Sequence, residues 1–545
     1  MPDAVSQAHS SRHLIRRCLP DAAALGVWTA AIVLFFWPVL SGRRVFFYFD
    51  VTELNYPYRA FFGNALREGR FPPLWCPHLY CGFPLFAESQ TGYLYPLKYL
   101  LYPWMPPWLA FGYDTVLSIW LAGVAMYAYL RRRVRPAAAL AGAVPFGYGG
   151  FMAAHLIHTS YVNSMMWIPL ALLAMERAWE SGRVKYVVYA AVCLAMQILA
   201  GNMQIAILTY LALAVMAAYW IMVAVAGRRN AGEASSTKAD GRRAALAVSA
   251  TTAAACVLAT ALGAVQILPA KRLLDQSPRR GGLNFDELTG QSSWHPELLP
   301  TLFLPNAFGS RSHNTDWLDG YYWYHEMYVY LGVTTLLLAL IGGTGWRNRW
   351  VFGHIVLTAV CVLLMLGKYT FLYNFFPYVP ILRGMRAPVR ESVWLGLSVG
   401  ALAAMGVERL CRGEGIRLRA PLWTFAGLAG AALLLVVGAY SPYLMGDLRA
   451  TRAADLPTSF PWEPNAFREQ RLIRQITTDA AAATLLALAT LLMVWRLARG
   501  QRAGQAASMQ ANSPSPAISS RRADSPNPPP NPPPQRGREL FLAGC

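Results

Sequence analysis

Residues 185–226 read KYVVYAAVCLAMQILAGNMQIAILTYLALAVMAAYWIMVAVA, with Lys185 the only charged side chain in the stretch. Roughly 20 apolar residues suffice to cross a bilayer as a helix. The stretch therefore holds two predicted spans, 185–201 and 204–226, joined by a very short turn at Gly201-Asn202. Arg177 and Arg183 precede the pair and Arg228 and Arg229 follow it, so both flanks lie on the same side of a helical hairpin in lipid.

Working outward, further apolar stretches fall near 22–40, 111–130, 137–155, 160–178, 244–268, 326–343, 350–367, 391–408, 421–440 and 478–497, for about 12 spans in all. Basic clusters then recur in alternate loops, at Arg12, Arg16 and Arg17, at Arg131 to Arg135, at Arg242 and Arg243, at Arg347 and Arg349, at Arg409 to Arg419, and at Arg496 and Arg499. An error in the count would scramble this alternation, so the pattern predicts both termini in the cytoplasm. Composition points the same way: 55% of the 545 residues are hydrophobic and only 14% charged, too little charge to cover a soluble protein of this size. The expected class is an all-α polytopic membrane protein with short interfacial helices in its outer loops.

The 48 Lys and Arg against 28 Asp and Glu give a net charge of +20, yet the charge sits in loop clusters and no basic stripe interleaved with aromatics occurs on a soluble segment. The chain is therefore expected to have no nucleic-acid partner. No GxGxxG or GxxxxGK[ST] pattern occurs in a strand-to-helix setting. Cys76 and Cys81 share an aqueous segment and could form a disulfide. The organisation expected is a cytoplasmic segment 1–21, a membrane domain 22–497 with long outer segments 41–110, 269–325 and 441–477, and a tail 498–545. That tail carries nine prolines between Ser513 and Pro534 and has no apolar periodicity with which to build a core.

The candidate chemistry lies in the outer segments. Asp50 and Glu53 follow the first span three residues apart, on one face of a helical turn. Such a pair could hold a hard divalent cation such as Mg or Mn, or take a proton from an attacking hydroxyl, or simply meet water at the membrane edge. Glu88, beside Ser89 and Gln90, is a candidate for sugar or ion contact or a local cap. His155 and His158 bracket the outer end of the third span and suit interface hydrogen bonding, since no third metal ligand is specified. Asn202 and Gln204 would be costly in lipid and are expected to face a polar interior, and Glu326, after His325, could orient a sugar or anchor its helix. Arg383, Arg386 and Arg390 lie on the outer side against the orientation rule. Three guanidinium groups there suit a phosphate or pyrophosphate, although Glu391 could pair with one of them.

Asp50 followed by Tyr56-Pro57, Gly201-Asn202-Met203-Gln204, Phe303-Leu304-Pro305-Asn306 before Gly309, Glu326 ahead of Tyr330-Leu331-Gly332, and Arg383-Gly384-Met385-Arg386-Ala387-Pro388-Val389-Arg390 occur in that order. In this order, over about 20–440, the chain resembles the bacterial YfhO family of membrane proteins, which is similar to C-type membrane glycosyltransferases. The Gly-Asn form at 201–202 departs from the Gly-His form expected of relatives. The resemblance implies transfer of a sugar from a polyprenyl-phosphate carrier to an envelope glycan, lipid or protein acceptor at the outer face of the bacterial inner membrane. It also implies Asp50, with Glu53 a less certain partner, as base or metal ligand, and the Arg383–Arg390 segment as the lipid-phosphate site. The alternative is a non-catalytic transporter or assembly factor for polyprenyl-linked sugars or glycopolymers, since many-span bundles with intramembrane polar groups also serve transport.

Overall fold

The computed structural model describes residues 2–229, 236–290, 292–310, 325–414, 418–439 and 465–511. Among them there is no strand, only an isolated antiparallel bridge between Cys76 and Phe83. The longer helices are α1 (Pro2–Phe35), α2 (Tyr56–Arg67), α3 (Pro107–Arg131), α4 (Pro136–Gly147), α5 (Thr159–Met165), α6 (Ile168–Ser181), α7 (Val184–Leu199), α8 (Met203–Arg229), α9 (Ser236–Asp275), α10 (Val333–Gly343), α11 (Arg349–Met365), α12 (Ser392–Arg412), α13 (Arg419–Ala439) and α14 (Asn465–Ala511).

Among the described residues six stretches are long and apolar enough to cross a membrane: Pro107–Arg131, Pro136–Ile157, Met203–Ala226, Gly241–Asp275, Pro388–Arg412 and Arg474–Arg496. Leu19–Phe35, Val184–Leu199, Val333–Gly343 and Arg349–Met365 are shorter apolar helices. The stretch expected to span at 326–343 is helical only from Val333, because Gly332 at φ 91° turns the chain and the residues before it form a turn and irregular backbone. Its 11 residues rise only about 16 Å, against a hydrocarbon thickness of roughly 30 Å. The stretch at 160–178 is likewise divided between α5 and α6.

α12 is the centre of the bundle, with 89% of its apolar window buried against 17% for α9 and 6% for α14. Glycines let its backbone approach two neighbours closely. A Cβ on Gly142 of α4 would strike the Gly400 carbonyl, and one on Gly406 would strike the Leu338 carbonyl of α10. On the far side of the bundle from the outer loops, Glu176 is buried and accepts from Tyr129 at 2.7 Å, Trp350 at 3.0 Å and Arg133 at 2.9 Å, tying α3, α6 and α11 together.

The first outer segment forms short helices around a small core of its own, built from Tyr58, Phe62, Cys76, Leu85, Tyr93, Tyr102 and Ala110. Cys76 is buried there and Cys81 is exposed, both as thiols, so the disulfide that the sequence allowed is not formed. The second outer segment starts later than 269, since α9 runs through Pro269 to Asp275. Residues 311–324 and most of 441–477, up to 464, lie outside the described residues.

The chain divides into two compact units, Met1–Leu497 and Ala498–Cys545. The second is helical as far as Ala511, where the sequence predicts an unstructured tail, and its Pro-rich part, 512–545, lies outside the described residues.

Candidate functional site

A cavity of about 280 Å³ opens among the loops that join the helices, lined by Phe49, Asp50, Leu54, His158, Glu287, Leu288, Ser292, His325, Glu326, Arg386, Ala387 and Arg390. Residues from five separate parts of the chain meet there, and local chemistry brings them together.

Asp50 stands at the start of a wide helical turn, Val51–Asn55, that leads into α2. The two residues before it hold positive φ, Tyr48 at 125° and Phe49 at 48°. Side-chain-bearing residues adopt such angles at a cost of order 1–3 kcal/mol each, and persist there only where surrounding contacts over-determine them. Asn55 supplies one such contact. Its amide donates to the Asp50 carbonyl at 3.1 Å and the Ile157 carbonyl at 2.9 Å, while its oxygen accepts from Thr159 Oγ1 at 3.1 Å. The segments at 50–55 and 157–159 are thereby stapled together. Asp50 Oδ2 lies 2.8 Å from His158 Nε2.

One turn further along α2, the buried Arg59 forms an ion pair with Asp114 of α3 at 3.0 Å and donates to Asn163 Oδ1 of α5 at 2.8 Å. Asn163 in turn donates to Asp114 at 2.9 Å and Ser118 at 2.8 Å. This network pairs the two charges away from water, although Arg59 Nε has no hydrogen-bond partner among the described residues. Lys98 is buried nearby, and burial, with the Arg59 charge second, holds its ammonium well below the usual lysine range.

Glu326 arrives through Gly149-Gly150, which break the helix after α4. The Gly150 amide donates to the Tyr330 carbonyl at 2.6 Å, and a Cβ at 150 would lie 2.8 Å from the Tyr330 nitrogen. Arg386 and Arg390 arrive on a segment paired to the loop before it by backbone bonds, from Leu283 to the Arg383 carbonyl at 2.9 Å and from Ala387 to the Leu288 carbonyl at 3.2 Å. Ala387, between the two arginines, also holds a positive φ, 70°.

The arginines fare differently. Arg390 is 7% exposed and its Nε reaches both carboxylate oxygens of Glu326 at 3.0 Å, with a further bond from Nη2 to Oε1. Its Nη1 donates to Gln204 at 2.6 Å, and its guanidinium lies 5.1 Å from the Tyr161 ring centre. Its charge is thus balanced internally by Glu326. Glu391, the partner the sequence suggested, instead accepts from Tyr373 at 3.3 Å. Arg383 is exposed and lines no part of the cavity. Arg386 lines it half-buried, and its guanidinium is held below the usual arginine range by burial first and then by the Arg390 and Arg279 charges. Burial pushes the cavity imidazole of His325 down to about 3, against the pull of Glu326, so it is uncharged at neutral pH.

The remaining candidates are placed elsewhere. Glu53 is exposed and does not line the cavity. Among the described residues no three His, Cys, Asp or Glu side chains are grouped as metal ligands. With one Asp50 oxygen taken by His158, the residues present do not fit a cation held between Asp50 and Glu53. Glu88 binds its neighbour Gln90, accepting from its backbone at 2.9 Å and from its side chain, and burial raises its carboxyl to about 7. Asn202 accepts from the Ile205 amide at 3.0 Å as a cap on α8, and Gln204 bridges Arg390 to the Arg386 carbonyl, which it meets at 2.8 Å.

Sequence reasoning passed over Asn55, Arg59 and Asp114, and read His158 only as an interface residue. The signal for Asp114 was present, since a carboxylate inside an apolar run at 111–130 needs a buried partner. No protein-family model matches the chain, and no curated protein matches its sequence.

Proposed function

We propose that the chain transfers a sugar from a polyprenyl-phosphate carrier to an envelope acceptor at the outer face of a bacterial inner membrane. The arginine alternation along the chain, with about 12 crossings, orients both termini to the cytoplasm and the cavity outward. One observation carries the reading: Asp50 and Arg386, a carboxylate and a guanidinium from distant parts of the chain, line the same cavity.

In this reading Asp50 takes the proton of the acceptor hydroxyl as the oxygen attacks the anomeric carbon. The bond from that carbon to the carrier phosphate breaks on the opposite face, and its electron pair leaves with the phosphate. Arg386 stabilises the charge developing there, and a single displacement inverts the anomeric centre. Arg390 serves the same wall indirectly, by holding Glu326 and Gln204 in place.

Reconstituting the purified protein with a panel of polyprenyl-phosphate sugars and acceptors tests this. A glycosylated product that disappears in Asp50→Asn, with donor binding kept, supports the reading; turnover unchanged in Asp50→Asn overturns the assignment of the base.

A further inference from the structure

We propose that His158 is the positioning residue for Asp50, acting as an uncharged imidazole locked in one tautomer with its proton on Nε2. The proposal rests on the transferase reading for its catalytic consequence, but the tautomer itself does not. Three observations carry it.

The first is the 2.8 Å contact between His158 Nε2 and Asp50 Oδ2. An ionised carboxylate only accepts, so Nε2 is the nitrogen that carries the proton. The second is the other nitrogen. His158 is 8% exposed, and its Nδ1 is enclosed with no hydrogen-bond partner among the described residues. A proton on Nδ1 would have no acceptor there, which disfavours both the other tautomer and the imidazolium. The third is that the two residues are built to meet. The Asn55 amide group binds the carbonyl of Asp50 and that of Ile157, the residue before His158, and one turn away Arg59 binds α3 and α5 together.

The division of labour follows. The Nε2–H bond occupies Oδ2 and sets the rotation of the carboxylate, leaving Oδ1 to the acceptor hydroxyl. Because the donor is uncharged, it aims Asp50 without pairing it into a full ion pair. An arginine or lysine in this place would bind the carboxylate more tightly and make it a poorer base.

Two measurements test it. Histidine labelled with nitrogen-15, in the full-length protein in bilayers at pH 8, gives a His158 signal assigned by its absence in His158→Gln. The expected result is a protonated Nε2 and a bare Nδ1; a proton on Nδ1 overturns the proposal. The second is kinetic. A misaimed base costs about 10²-fold, so His158→Ala is expected to lower kcat by about that factor with the donor KM nearly unchanged. His158→Gln returns an amide N–H toward Oδ2 and is expected to recover about tenfold of the loss. Equal rates in the Ala and Gln variants, or an unchanged kcat in His158→Ala, overturn the positioning role. If the wild-type protein transfers no sugar with any substrate, the transferase reading falls and the nitrogen-15 signal alone decides the tautomer.

Discussion

Removing the carboxylate of Glu326 should destabilise the protein far more than removing the whole ion pair it forms with Arg390. The two side chains are 2% and 9% exposed, and Arg390 directs bonds at both Glu326 oxygens while its Nη1 donates to Gln204. Glu326→Leu leaves a guanidinium stranded in an enclosed site, which costs about 3–5 kcal/mol. Glu326→Leu with Arg390→Met replaces the pair by apolar side chains of similar bulk, a change that is often close to neutral. The two substitutions should therefore be strongly non-additive, with a coupling at least as large as the Glu326→Leu loss itself, about 3–5 kcal/mol or more. Unfolding free energies of wild type, both single variants and the double variant, measured by denaturing-detergent titration in mixed micelles with Trp fluorescence, give that coupling directly. A Glu326→Leu loss below about 1 kcal/mol, or single losses that simply add, would show that Arg390 is not balanced internally. It would then return to the phosphate side of the cavity as a free cation.

Arg386→Gln should weaken donor binding by about tenfold, as expected for loss of one charge-assisted contact; titration with a labelled polyprenyl phosphate reads this, and unaltered affinity refutes it. Glu88 titrates at about 7 when folded against an ordinary value of 4.5, so its contribution to stability is fully present below 4.5, declines as pH rises to about 7, and is flat above. Glu88→Gln should accordingly be more stabilising relative to wild type at pH 8 than at pH 5, and equal differences in unfolding midpoint at the two values would contradict the raised carboxyl. Cys81 should react with a membrane-impermeant maleimide added from outside without prior reduction, while Cys76 does not. Labelling that appears only after reduction would reveal the disulfide, and labelling only from the cytoplasmic side would invert the topology.

The sequence makes the helical class legible because lipid imposes long apolar runs and their flanking arginines, and both are local properties. It makes Asp50 and the arginine segment conspicuous because charge on the outer side of that pattern is unusual. Partnerships are another matter. Asp50 and His158 are 108 residues apart and Glu326 and Arg390 are 64 apart, so nothing local tells Arg390, which is neutralised, from Arg386, which faces the cavity. Helix length was misjudged where polar function interrupts hydropathy. Residues 326–332 are apolar enough to continue α10, but their backbone is non-helical, accepts from the Gly150 amide at Tyr330, and delivers Glu326 to the site. Asn202 and Gln204 show the converse, since amides at the end of an apolar run turned out to serve a helix cap and an arginine.

Arg390 is followed within two residues by α12, whose glycines lock it against α4 and α10. The two walls that meet there therefore move as one. Displacing the guanidinium side would mean sliding the most enclosed helix past two interdigitated neighbours, and the Glu287–Ser292 side is tied to it by backbone bonds from Ala387 to the Leu288 carbonyl and from Val389 to the Ser292 carbonyl. A bulky guest would enlarge the space by parting this joined wall from the Asp50 side, so a spin-label pair across Ser292 and Asp50 would widen while one between Ser292 and α12 stayed still.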